Sequence, residues 1–238
     1  MNNKYFILAC LYVAQLVPGK FAANAMPVIM RNEGMPLKMI GLVGLLSLPW
    51  ALKFLWSPLV DRYGRGKNHY KKWIFSMQLI FAFITFLVSY LTIGNHFTAI
   101  LALMTFSYIF ASTQDIAVDG YAVKMLEPSE RGIGNGIQAG CNMLGSVLGA
   151  SIGLIIYMNT SWRFTLTLIF IVTVILAIPV LFGKEKDSDL NIERASYADM
   201  ASFFRNKTVQ QLLPVLFLSF GGVFSALMMM KPLLIDLG

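Results

Sequence analysis

Two aspartates, Asp115 and Asp119, interrupt an apolar stretch that reads Ala111-Ser112-Thr113-Gln114-Asp115-Ile116-Ala117-Val118-Asp119-Gly120. At i and i+4 on a helix they share one face. Two carboxylates on one face of an apolar segment must meet protein or water. The pair is a candidate site for taking up and releasing a proton. The alternative is structural pairing with bases, Arg65 for Asp119 and Lys53 for Asp115. Lys53 lies two turns before Asp61 in its own apolar stretch, where a lysine either snorkels to the surface or finds an acid. Lys20 follows Pro18-Gly19, a pair that can open a helix and free backbone groups. Its ammonium would attract an anion if it stays inside; otherwise it snorkels outward.

Two further groups carry polar chemistry. Trp56-Ser57-Pro58-Leu59-Val60-Asp61-Arg62-Tyr63-Gly64-Arg65-Gly66-Lys67 places an acid and three bases where an apolar segment meets water. Gly64 and Gly66 permit a sharp turn there, and Asp61 can accept from a helix N-terminus or pair with a base. The second group is Asn135, Gln138 and Asn142, at i, i+3 and i+7 in a run containing Gly132, Gly134, Gly136, Gly140, Gly145, Gly149 and Gly153. The glycines let helices approach closely. The three amides suit either a solute rich in hydroxyl, amide or carboxylate groups, or hydrogen bonds between helices. No phosphate-binding Gly-Lys-Ser/Thr loop, Gly-x-Ser-x-Gly elbow or zinc-protease His-Glu pair is present. No enzyme activity or cofactor is expected. Two histidines, with Cys10 and Cys141 inside apolar segments, give neither metal-ligand spacing nor a disulfide framework.

The elements that position these residues are membrane spans. The chain is 57% hydrophobic and 13% charged, with mean hydropathy +0.66; a soluble domain is about 45–50% apolar and about 25% charged. Seven segments reach the roughly 20 apolar residues a spanning helix needs: 5–30, 38–60, 73–93, 97–123, 132–157, 164–182 and 210–230. The first is too long for a signal peptide and starts with only Lys4, so an uncleaved helix is expected. The net charge of +7 sits in loops rather than on a solvated face, which excludes a nucleic-acid partner. With the N-terminus inside, that side holds 13 bases: Lys4, Arg62, Arg65, Lys67, Lys71, Lys72, Lys124, Arg131, Lys184, Lys186, Arg194, Arg205 and Lys207. The outer side holds only Arg31, Lys38 and Arg163. This asymmetry predicts a cytoplasmic N-terminus. The predicted organisation is a six-helix bundle over 1–182, a charged cytoplasmic linker over 183–209 and a seventh helix beginning at 210 in 210–238. Within the linker, Tyr197 to Phe204 reads as a short interfacial helix.

The Asp61-Arg62 loop resembles the signature between the second and third helices of the major facilitator superfamily. Ser57 stands where that signature opens with glycine four residues before the aspartate. Leu48 through Arg62, Thr113 through Gly120 and Glu130 through Gly140 are similar to the branch that holds anhydromuropeptide permeases and single-component siderophore importers of the rhizobactin and pyochelin type. Eukaryotic acetyl-coenzyme A transporters are more distant. Gly134-Asn135-Gly136-Ile137-Gln138 and Ala25 through Arg31 look nearer to the siderophore importers. The resemblance implies an all-α, proton-coupled importer in the bacterial inner membrane, with Lys53, Gln114, Asp115, Asp119 and Gln138 inside the matched motifs; Lys20, Asn135 and Asn142 join them on the expected pathway by residue type and position. Asp61, Arg62, Gly64 and Arg65 fall in the gating motif, as a latch on one conformation. The expected cargo is a ferric siderophore first and an anhydromuropeptide second. Such proteins have two similar halves around a shared site. Six helices plus one therefore lead to the expectation of a fragment needing a second half, from the same gene or a separate chain. A half-size protein that dimerises and a non-transporting remnant are the alternatives.

Overall fold

The computed structural model describes residues 3–62, 68–185, 197–219 and 222. Tyr63, Gly64, Arg65, Gly66 and Lys67 of the signature loop lie outside the described residues, as do most of the linker and the end of the seventh segment. Arg62 is described by its backbone only. The chain divides into Met1–Ile192 and Glu193–Gly238. Every regular element described is helical.

In the first unit, six helices are long and apolar enough to cross a membrane: α1 (Lys4–Asn32), α2 (Leu37–Leu55), α3 (His69–Val88), α4 (Ile93–Met125), α5 (Pro128–Asn159) and α6 (Trp162–Phe182). Most are longer than hydropathy marks, because α4 and α5 carry their polar ends into the connecting turns. With 33 residues, α4 extends about 50 Å at about 1.5 Å per residue. The second span is shorter than the expected 38–60. It narrows to a tighter helical turn at Lys53–Leu55, breaks at Trp56 and resumes as the short helix Ser57–Arg62. In the second unit, a helix covers Tyr197–Arg205 and residues 207–219 are again helical.

The links interlock at the two ends of the bundle. Lys4 Nζ donates to Glu130 at 2.5 Å, tying the N-terminus to the α4–α5 link. Lys71 Nζ donates to the carbonyls of Leu181 (3.0 Å) and Gly183 (2.7 Å), capping the C-terminus of α6. In return, the buried Glu185 carboxylate accepts from the backbone N–H of Tyr70 and Lys71 (both 3.2 Å) at the start of α3. Each charge meets the helix end whose dipole favours it. At the other end Tyr157 OH donates to Glu33 (3.0 Å) and Trp162 Nε1 to the Val88 carbonyl (3.3 Å).

The central helix is α1, by far the most buried of the six, whereas α2 and α5 bury least. Pro18-Gly19 does not open it: the helix runs through both and widens into a π-helical turn at Phe21–Ala25. A second π-helical stretch, Ser146–Ile152 on α5, packs against the first. The contact rests on three glycines. A Cβ at Gly145 would lie 2.6 Å from Leu16 Cβ, one at Gly149 would strike the Val17 carbonyl, and one at Gly153 would lie 2.7 Å from the Phe21 ring. Spaced by four, they let the backbones touch. Gly132, Gly136 and Gly140 have open space where a Cβ would stand, whereas one at Gly134 would strike Leu126 Cδ1, so the glycine series is only partly used for close approach.

The core separates into two apolar clusters. One gathers Phe21, Met26, Ile29, Phe81, Ile100 and Leu166; the other gathers Leu8, Leu11, Ile74, Val118, Tyr121 and Val180. On α1, α3, α4 and α6 the switch between clusters falls at a polar residue or residues: Gln15, Gln78, Thr113 to Asp115, and Thr173. The bundle thus carries a polar layer at mid-height.

Candidate functional site

At that layer, Asp115 is buried with a side chain 8% exposed. Its Oδ2 is paired with Lys53 Nζ, and its Oδ1 accepts from Gln15 Nε2 at 2.6 Å. Asp119, one turn on, is 45% exposed; its Oδ2 lies 3.8 Å from the same Lys53 Nζ, and its Oδ1 accepts from Tyr12 OH at 3.2 Å. The i, i+4 spacing on α4 thus lets one lysine of α2 serve both carboxylates. Gln15 and Tyr12 form the matching pair on α1, three residues apart on one face. Lys53 arrives because the helix tightens there, and Trp56 Nε1 pins the following break to α4 by donating to Thr113 Oγ1 at 3.0 Å.

A charge in the interior needs a partner of opposite sign and hydrogen bonds for its remaining valence. Asp115 has both, and Asp119 has a weaker version of each. The result is two carboxylates sharing one cation, one enclosed and one half open. The geometry places one ammonium within reach of two carboxylates of unequal exposure.

The other candidates distribute unevenly. Gln114 points to α3: its Nε2 donates to Gln78 Oε1 at 2.8 Å, and Gln78 Nε2 donates to the Thr173 carbonyl of α6 at 3.0 Å. It is fully buried and its own Oε1 lacks a partner among the described residues. Lys20 is half-buried, and its ammonium has no recorded partner among the described residues. Asn135 and Asn142 are exposed and Gln138 half-buried on α5; none of the three side chains makes a hydrogen bond to a described residue. Among the described residues, therefore, none of the three makes the interhelical hydrogen bond of the alternative reading. At the start of the signature loop, the exposed Asp61 accepts from Tyr70 OH at 2.8 Å. Tyr70 fits because residue 120 is glycine, where a Cβ would lie 2.6 Å from the ring. Gly64 and Arg65 lie outside the described residues, so the expected Arg65–Asp119 pair has no described geometry.

The sequence reading missed Tyr12, Gln15, Gln78, Tyr70 and Glu185. The first three are polar residues inside apolar runs, the signal that singled out Asp115, but without charge they attract no notice. No group of three or more potential metal ligands occurs among the described residues.

Residues 8–238 match the Major Facilitator Superfamily. The chain is 26% identical over 234 residues to the anhydromuropeptide permease of Escherichia coli strain K12, covering 92% of this chain and 46% of the relative. It is 25% identical over 215 residues to a putative transporter AmpG 1 of Rickettsia bellii (84% and 52%). A protein of Haemophilus influenzae with no stated activity is 25% identical over 228 residues (88% and 52%). The chain spans about half the length of these curated relatives.

Proposed function

Because the chain belongs to the Major Facilitator Superfamily, we propose that it forms the N-terminal half of a proton-coupled importer, not an enzyme. It would lie in the bacterial inner membrane with its N-terminus in the cytoplasm, as the 13-to-3 asymmetry of Lys and Arg favours. The second half of the pathway would come from further chain or another subunit. The observation that carries the reading is the Lys53 ammonium shared by Asp115 and Asp119 at mid-bundle. Ionisable groups at that depth are costly and pay off where charge must move. Asp115 is the proposed proton carrier; Lys53 alternates between the acids; Asp61 with Arg62, Gly64 and Arg65 forms the gate. Lys20, Gln114, Asn135, Gln138 and Asn142 are the proposed solute-facing groups.

The proposed cargo is an anhydromuropeptide, a solute with hydroxyl, amide and carboxylate groups for the amides of α5 and the Lys20 ammonium, which have no partner among the described residues. The Escherichia coli and Rickettsia relatives support this order over the ferric siderophore that the sequence put first. The Gly134 to Gln138 run keeps the siderophore as the second reading. Deletion of the complete gene should leave labelled anhydromuropeptide outside the inner membrane with ferric-siderophore uptake unchanged. The reverse pattern would give the cargo to siderophores, and no change in either would sink both. In the complete protein, Asp115→Asn should abolish proton-driven accumulation while solute binding survives; full accumulation would remove Asp115 from the coupling role.

A further inference from the structure

At the end of the bundle away from the Lys71 and Glu185 caps, the α1–α2, α3–α4 and α5–α6 links line an open cavity of about 350 Å³, with Glu33 and Arg163 exposed at its surface. That is near the lower limit for small-molecule sites. Two opposite charges line it, Glu33 and Arg163, and no ion pair joins them. Glu33 accepts one hydrogen bond, on Oε1 from Tyr157 OH. The Arg163 guanidinium makes no hydrogen bond to a described residue and lies over the Tyr90 ring, 4.3 Å from its centroid. The carboxylate thus has an oxygen to spare and the guanidinium its full fork of donors.

A ligand that satisfies both carries an amine and an anion in one small group. The surroundings say what else it carries. Tyr90 meets Phe86 edge-on at 5.2 Å, and Phe86 lies against Phe170 at 5.0 Å. These rings form a seam between α3 and α6, from the cavity rim down to a residue two turns inside α6, about 12 Å along its axis. Exposed Leu87 and Phe164 extend the apolar surface beside it. Tyrosine and tryptophan at a helix end mark the headgroup level of a bilayer. A soluble zwitterion has no use for the seam, and an anionic lipid would bring its charge to Glu33.

We propose that this cavity binds the headgroup of a zwitterionic aminophospholipid, amine on Glu33 and phosphate on Arg163, with an acyl chain along Tyr90, Phe86 and Phe170. The site is independent of the cargo. An arginine–phosphate contact is charge-assisted and able to be bidentate, and the primary amine donates to the free carboxylate oxygen.

The test is native mass spectrometry of the complete protein in detergent with equimolar phosphatidylethanolamine and phosphatidylglycerol. Retention of the ethanolamine lipid should exceed that of the glycerol lipid about tenfold, the equivalent of about 1.4 kcal/mol, and Glu33→Gln should abolish the preference. Arg163→Gln should lower retention of both lipids. Equal retention of the two lipids by the unsubstituted protein overturns the proposal without any variant having to fold. Free phosphoethanolamine at the same concentration should leave the lipid in place. Displacement by it would mean the seam contributes nothing and a soluble zwitterion owns the site, which overturns the lipid assignment.

Discussion

Lys53→Met removes the ammonium and keeps most of the stem, so it isolates the charge at the centre of the site. The Asp115 carboxylate then remains 8% exposed with one donor, Gln15 Nε2 at 2.6 Å. Breaking a fully buried ion pair from one side costs about 3–5 kcal/mol, and an exposed pair is worth about 0–1 kcal/mol. Lys53 is 30% exposed, so the cost should be about 2–3 kcal/mol, between those limits. The half-open Asp119 at 3.8 Å adds little, because solvent screens it. Asp115→Asn leaves Lys53 with only Asp119 and should cost about 1–2 kcal/mol. The double variant has no buried charge to compensate and should be little worse than Asp115→Asn alone. A double-mutant cycle, read from denaturation of the complete protein in mixed micelles by tryptophan fluorescence, should give a coupling of about 2 kcal/mol. Trp56, hydrogen-bonded across to Thr113, reports on this region. Additivity of the two substitutions within about 0.5 kcal/mol would refute the reasoning, since the pair would then be no closer energetically than distant residues.

Three further substitutions probe the frame. Gly149→Val drives a side chain into the Val17 carbonyl; the cost should exceed the roughly 1–3 kcal/mol of ordinary overpacking, and size-exclusion chromatography should show loss of the monodisperse peak. Gln78→Leu strands the Gln114 amide and should cost about 1–3 kcal/mol in micelle denaturation, whereas Gln78→Leu with Gln114→Leu should recover much of it. Glu185→Gln weakens the cap on α3 by about 1–2 kcal/mol. Because Glu185 is 2% exposed, that loss should persist in high salt, unlike the loss from Lys4→Ala at the partly exposed Lys4–Glu130 pair.

Most of the frame was legible because a membrane span has a local cause: about 20 apolar residues in a row, readable one segment at a time. Six of the seven expected segments correspond to α1 through α6, with ends displaced by a few residues. Hydropathy stops at the first polar residue, whereas a helix continues until its backbone groups find other partners. Trp56 shows the reverse: nothing in 38–60 announces the break that lies between the two parts of that span. Pro18-Gly19 reads as a helix opening, yet the chain resolves it with a π-helical turn, because the α5 glycines admit the widened backbone.

The site divides the same way. A charge in an apolar run is conspicuous in one dimension, so Lys53, Asp115 and Asp119 stand out from the letters alone, and i, i+4 spacing puts the acids on one face. Neutral partners such as Tyr12, Gln15 and Gln78 take their meaning from what they touch, and those contacts join residues 36 to 107 positions apart. The sequence by itself determined that this chain crosses a membrane repeatedly, where its spans fall and which charges they must accommodate, because hydropathy, charge and helical period are local properties. Only the tertiary structure decided that one lysine serves two acids, that Gln114 turns to α3 instead, and that Glu33 and Arg163 line one cavity unpaired. Each of these depends on how helices cross, and a crossing is fixed by packing between segments distant in the chain.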